Sequence, residues 1–145
     1  FFSEQIVKHL PQAIASRLPA EISVVAVSEK ESLRLNRGYL GKNKAANALS
    51  FLYGKEYGEI IVCPAVIRRE ARAQDHSYEY QMTWMILHGM IHLTGMHHEE
   101  SRGATRRVER VEQEVLSKFG VSKSKCQSSN VKSNPKSKVQ KKRGL

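Results

Sequence analysis

The sequence has no uncharged apolar run approaching the roughly 18 residues that a membrane-crossing helix needs, which excludes a helical span. Its first residues, FFSEQIVKHL, have no basic segment leading into an apolar block, so they do not form a secretory signal. The chain also lacks an initiating Met, and this end is expected to be processed or missing. Cysteine is scarce: Cys63 lies in an apolar run and Cys126 near the C terminus, and neither has CxxC spacing. That excludes a disulfide scaffold and a thiolate metal site, and implies two free thiols in a reducing cytoplasm. No internal repeat is present. What remains is 145 residues, 40% hydrophobic and 26% charged, the length and balance of one globular domain.

Acidic residues are absent from one region. From Ser122 onward the chain carries seven lysines and Arg143 with no Asp or Glu, so residues 1–121 keep only +2 of the formal charge of +10. The body is nearly neutral and the basicity belongs to an appendage. Residues 122–145, rich in Ser, Lys, Asn and Gln, hold too little apolar surface to offset the entropy of ordering and are expected to be a disordered tail. Such a tail is either a solvated appendage or a polyanion-binding arm.

Within residues 1–121, Ile6, Leu10, Ile14 and Leu18 recur at helical steps, and Pro11 should kink or split that helix. Ile22–Val27 reads as a buried strand. Ser28 with Glu31 is a capping-box pattern opening a short helix that should close near Gly38. Ala48–Leu52 and Glu59–Cys63 read as an antiparallel hairpin across a Tyr53–Gly58 turn. Pro64 opens a helix to about Gln74. Longer helices follow over about Tyr78–Thr94, ended by Gly95, and Thr105–Phe119, ended by Gly120. The expected class is α+β: a small sheet packed with helices, one of them carrying an HxxxH metal site.

Four of the six histidines lie between His88 and His98. His88 and His92 are four apart on a predicted helix, so both imidazoles share one face and can reach one ion at about 2.0–2.1 Å. Gly95 lets the chain turn through a positive φ, and His98 arrives three residues later. The spacing is H-x3-H-x5-H. Three neutral nitrogen ligands with a fourth position open to water are the layout of a catalytic metal site. Zn²⁺ leads, one per chain, and Ni²⁺, Co²⁺ and Cu²⁺ bind the same donors. His97 competes as third ligand or acts as a donor behind it.

The same spacing occurs in the metzincin signature, where a glutamate after the first histidine is the general base. Here that position is Gly89, which cannot take a proton, so peptide hydrolysis by that route is disfavoured. The segment HGMIHLTGMHH instead resembles the H-G-x-L-H-L-x-G-x-D-H signature of the YbeY family. Leu35-Asn36 with Gly41-Lys42 resembles that family's L-N-x-x-Y-R-G-K segment. Asn47–Phe51 resembles its V-L-S-F strand, and Gly58–Val62 its G-D-I-V-I strand. The likeness runs from about Glu21 to Phe119.

The resemblance implies an α+β fold with a mixed sheet beside the metal helix, and metal ligands His88, His92 and His98. It implies a zinc-dependent, single-strand-specific endoribonuclease in ribosomal RNA maturation and ribosome quality control, with ribosomal RNA and the ribosome as partners, acting in the cytoplasm. Three departures stand out. The family's aspartate before the last ligand is His97, its arginine after Tyr39 is Leu40, and its strand before the first helix has no counterpart. Arg37 and Lys42 are the candidates to contact RNA phosphate in place of that arginine. The alternative is a catalytically weak or inactive zinc-containing protein that binds RNA or the ribosome.

Overall fold

The computed structural model describes residues 2–96 and 101–124. In chain order the elements are α1 (Phe2–Val7), α2 (Gln12–Ala15), β1 (Glu21–Ala26), α3 (Glu29–Leu40), β2 (Ala48–Tyr53), β3 (Tyr57–Val62), α4 (Pro64–Gln74), α5 (Tyr78–Leu93) and α6 (Arg102–Phe119). Pro11 divides α1 from α2, as a residue without an amide hydrogen should. Ile6, Leu10 and Ile14 are nevertheless all buried, so the apolar stripe survives the break.

The sheet is mixed. Its order is β1-β3-β2, with β3 in the centre. β2 and β3 form the expected antiparallel hairpin, and β1 runs parallel to β3. β1 therefore lies at an edge, which corrects its reading as a buried strand: Val25 is exposed because only one side of the strand is covered. The hairpin strands also run further into the turn than expected, pairing Tyr53 with Tyr57 and leaving only residues 54–56 as the loop.

The α3 helix differs from its expected length. Gly38 sits inside it without stopping it, and Gly41 closes it at φ 69°, its amide donating to the Arg37 carbonyl at 3.1 Å. A mid-helix glycine costs about 1 kcal/mol without breaking the hydrogen-bond ladder, whereas the left-handed residue ends it. The extra turn carries Tyr39 and Leu40 to the helix tip. The Ser28 cap forms as expected, its hydroxyl accepting from the Glu31 amide at 3.1 Å. α6 begins at Arg102, earlier than Thr105, because Ser101 caps it by accepting from Ala104 at 3.0 Å.

α5 is the central helix, packed against α4, α6, β2 and β3. Ten of its 16 residues are buried, too many for a one-sided stripe. At Gly89 its backbone comes very close to the sheet: a Cβ there would meet Ser50 Oγ at 2.9 Å and Ile60 Cγ2 at 3.0 Å. At the other end, Ser77 caps α5 and is itself tied down. Its amide donates to the Lys123 carbonyl (2.7 Å), its hydroxyl donates to the Ser122 carbonyl (2.5 Å), and His76 bridges to Ser124. Among the described residues, the chain is thus held to the body as far as Ser124. The remaining tail, residues 125–145 with Cys126, lies outside the described residues.

The contact at Gly89 yields a stability prediction. Gly89→Ala should destabilise the fold by about 1–3 kcal/mol through overpacking, despite alanine's better helix propensity. Urea unfolding of both proteins checks this, and a variant as stable as the parent would show that α5 can back away from the sheet.

Candidate metal centre

His88 and His92 lie one turn apart on α5, on the face left open between α6 and the edge strand β2. Their Nε2 atoms are 3.1 Å apart and their ring centroids 4.6 Å. Two metal–nitrogen bonds of about 2.0–2.1 Å at a tetrahedral angle span roughly 3.3–3.4 Å, so the pair is spaced to share one ion with little adjustment. Gly95 takes φ 88° and its amide donates to the His92 carbonyl at 3.1 Å, turning the chain where the sequence requires it. His98, the expected third ligand, lies outside the described residues, as do His97, Glu99 and Glu100. Among the described residues no cluster of three His, Cys, Asp or Glu side chains forms a metal site.

Sequence reasoning missed Glu112. Its carboxylate is buried on α6, accepting from the Trp84 indole N–H at 2.9 Å through Oε1 and contacting His88 Nδ1 at 2.5 Å through Oε2. With Nδ1–H donating to the carboxylate, the lone pair of His88 sits on Nε2, the atom facing His92. Carboxylate behind imidazole is the arrangement that orients a metal-binding histidine and raises its basicity. A signal was available. Glu112 lies four residues from both Val108 and Leu116, on the apolar stripe of α6, and all three side chains are buried. A carboxylate is found on such a face only when it has partners.

The histidines open into a cleft of about 580 Å³, lined among others by Tyr39 and Leu40 of α3, Ser50 and Phe51 of β2, and His88 and His92. None of its described lining residues is Asp, Glu, Lys or Arg. Leu40, where the resemblance leads one to expect an arginine, is 56% exposed and lines the same cleft as His88 and His92. Arg37 does not line this cleft. It donates to Asn43 Oδ1 through Nε (3.1 Å) and Nη2 (2.5 Å), and its neighbours on the far side of α3 include Arg34 and Ser28. Lys42 lines a second groove that shares Leu40, Asn47, Ala48 and Leu49 with the first.

A family model described as Endoribonuclease YbeY matches residues 2–120. Among curated relatives of that name, the one from Aromatoleum aromaticum is 39% identical, over 73% of this chain and 70% of its own length. The one from Azoarcus sp. is 35% identical over 73% of this chain, and there the chain spans only 46% of the relative. The one from Pseudoalteromonas translucida is 32% identical over 70% and 71%. The solution structure of TM1509 from Thermotoga maritima matches with a TM-score of 0.56 at 24% identity, covering 81% of this chain and 83% of that one, and shows the shared fold.

The Glu112 arrangement can be tested without a nuclease assay. Glu112→Gln offers one acceptor oxygen to two donors, so either His88 or Trp84 loses its partner. Zn²⁺ affinity by chelator competition should fall about 10–100-fold with helical content unchanged. Equal affinity would reduce Glu112 to a packing residue.

Proposed function

The chain belongs to the YbeY family, and from that membership we propose that it is a zinc-dependent endoribonuclease of single-stranded RNA, acting in the maturation and quality control of ribosomal RNA. The observation that supports this most is the His88–His92 pair, with Nε2 atoms 3.1 Å apart at the wall of an open cleft. His88, His92 and His98 would hold one Zn²⁺ per chain. When bound, that ion supplies Lewis-acid polarisation of a phosphoryl oxygen or a water.

The chain's own residues do the rest. Glu112 fixes the tautomer and orientation of His88. The cleft volume suits a short stretch of single strand. Lys42 and Arg37 serve as outer phosphate contacts, away from the scissile group, since neither lines the cleft. The tail adds sequence-independent affinity for phosphates. Ribosome association and a cytoplasmic location belong to the same reading.

One observation favours a second reading, a zinc-containing RNA- or ribosome-binding protein with weak or no activity. Leu40 stands in the cleft where the family has arginine, and a leucine donates nothing to the charge that develops on a phosphoryl group. Loss of one such donor typically costs about 10²–10³ in rate.

Two experiments decide. In single-turnover cleavage of a labelled single-stranded RNA, the parent should be slow, and Leu40→Arg should be faster by up to about 10²–10³ at unchanged zinc content. His88→Ala and His92→Ala should lose both zinc and cleavage. Parent and Leu40→Arg both at the His88→Ala background would establish the binding reading, and full zinc in both histidine variants would remove the metal assignment. Separately, removal of residues 125–145 deletes seven cations. It should flatten the slope of log K against log salt for single-stranded RNA by up to about 5, without unfolding the body. An unchanged slope would make the tail a solvated appendage.

A further inference from the structure

Of the five exposed large apolar or aromatic residues among the described residues, four, namely Tyr39, Leu40, Leu52 and Tyr53, gather at the tip of α3 and along β2. Tyr39 is 66% exposed and Tyr53 55%. They belong to two neighbouring ring pairs. Tyr39 meets Phe51 edge-on with centroids 5.0 Å apart, and Tyr53 stacks on Tyr57 at 5.7 Å and 28°. Phe51 and Tyr53 are two residues apart on an extended strand, so they share one face of the sheet at a spacing of about 6.6–6.8 Å. This is the face away from α5, since α5 packs on the alternate residues Ser50 and Ile60.

This surface adjoins the metal site, because Tyr39, Leu40 and Phe51 all line the cleft that holds His88 and His92. Beyond Leu40 the surface continues into a groove lined by Lys42 and Lys44, in which Glu29 is paired with Arg69 and Glu70 accepts from Asn47. The chemistry is therefore ordered: rings on the outer face, histidines within, cations beyond. Two carboxylates are in register with the rings: Glu59, opposite Phe51 on β3, and Glu21 of β1, opposite Tyr57. Their charges disfavour phosphate over the open sheet and leave that surface to uncharged rings. Partial desolvation and then Glu59 hold the Tyr53 phenol above its ordinary pKa of 10, so the ring stays neutral.

The geometry points to Tyr39 and Tyr53 as a stacking shelf for nucleobases of a single strand whose phosphates run through the cleft toward Lys42. The inference rests on the RNA reading above and adds how the strand is gripped: by the π-faces of its bases, with little regard to sequence. A duplex, whose bases are already stacked on one another, cannot use the shelf, so the shelf also favours single strands.

The test compares two probes on the full chain: a 2′-O-methyl oligoadenylate, and an abasic strand of equal length with the same phosphates. The parent should bind the first more tightly. Tyr39→Ala and Tyr53→Ala should each lower that affinity about five- to 150-fold and leave the abasic strand unaffected. Tyr53→Phe, which keeps the ring, should behave as the parent. Both substituted side chains are exposed, so the fold should survive, and circular dichroism checks it. Equal binding of both strands by the parent, or alanine variants that weaken both strands alike or neither, would overturn the shelf while the RNA reading stands. A parent that binds neither strand would overturn the RNA reading itself. Sedimentation supplies the remaining outcome: if the parent is a dimer that Tyr39→Ala dissociates, a second copy of the chain covers these rings and the shelf is refuted.

Discussion

The close approach of α5 to the hairpin at Gly89 is the constraint from which the rest of the site follows. With hydrogen in place of a side chain, the helix backbone lies against Ser50 and Ile60, and Ser50 donates to the Gly89 carbonyl at 3.2 Å. That contact fixes the rotation of α5 about its own axis. Leu87, Met90 and Ile91 then point into the core, and His88 and His92 emerge beside β2. It also settles the protease comparison by volume rather than proton affinity alone. A methyl group would already collide at 2.9 Å, so the glutamate of the metzincin signature has no space at this position.

The most legible parts of the sequence were those governed by local rules. Pro64 opens α4 and α4 ends at Gln74, because proline suits a first helical turn and Asp75 takes the left-handed conformation that stops it. The histidine pair and the Gly95 turn were legible for the same reason: helical periodicity and a positive φ are properties of a few consecutive residues. The parallel pairing of β1 with β3 was not, since it joins residues 36 apart and leaves no mark in either segment. Nor was the end of α3, where two glycines competed and only the folded backbone shows that Gly41 takes the positive φ. Tyr53 and Tyr57 read as turn residues because glycines follow each. Cross-strand ring stacking draws them into the ladder instead.

Glu112 shows a different kind of illegibility. Its place on the apolar stripe of α6 marks it as a carboxylate in need of partners, but those partners, Trp84 and His88, lie 28 and 24 residues earlier and are identified only by the packing of the two helices. The candidate centre is therefore a joint product of two helices: α5 supplies the nitrogen atoms and α6 supplies the charge that aims one of them. The cleft in front has no Asp, Glu, Lys or Arg among its described lining, and the Glu112 carboxylate lies behind the His88 imidazole rather than in the cleft wall.

Finally, the knot at Ser77 turns α5 into a ruler. The chain beyond α6 is pinned to the first residue before this helix, while His92 stands 15 residues along it, about 22 Å away. The cationic segment thus begins at the pole of the helix opposite to the histidines. About four helical turns separate the knot from the histidine pair, so loosening the knot frays α5 first at the end farthest from the candidate centre.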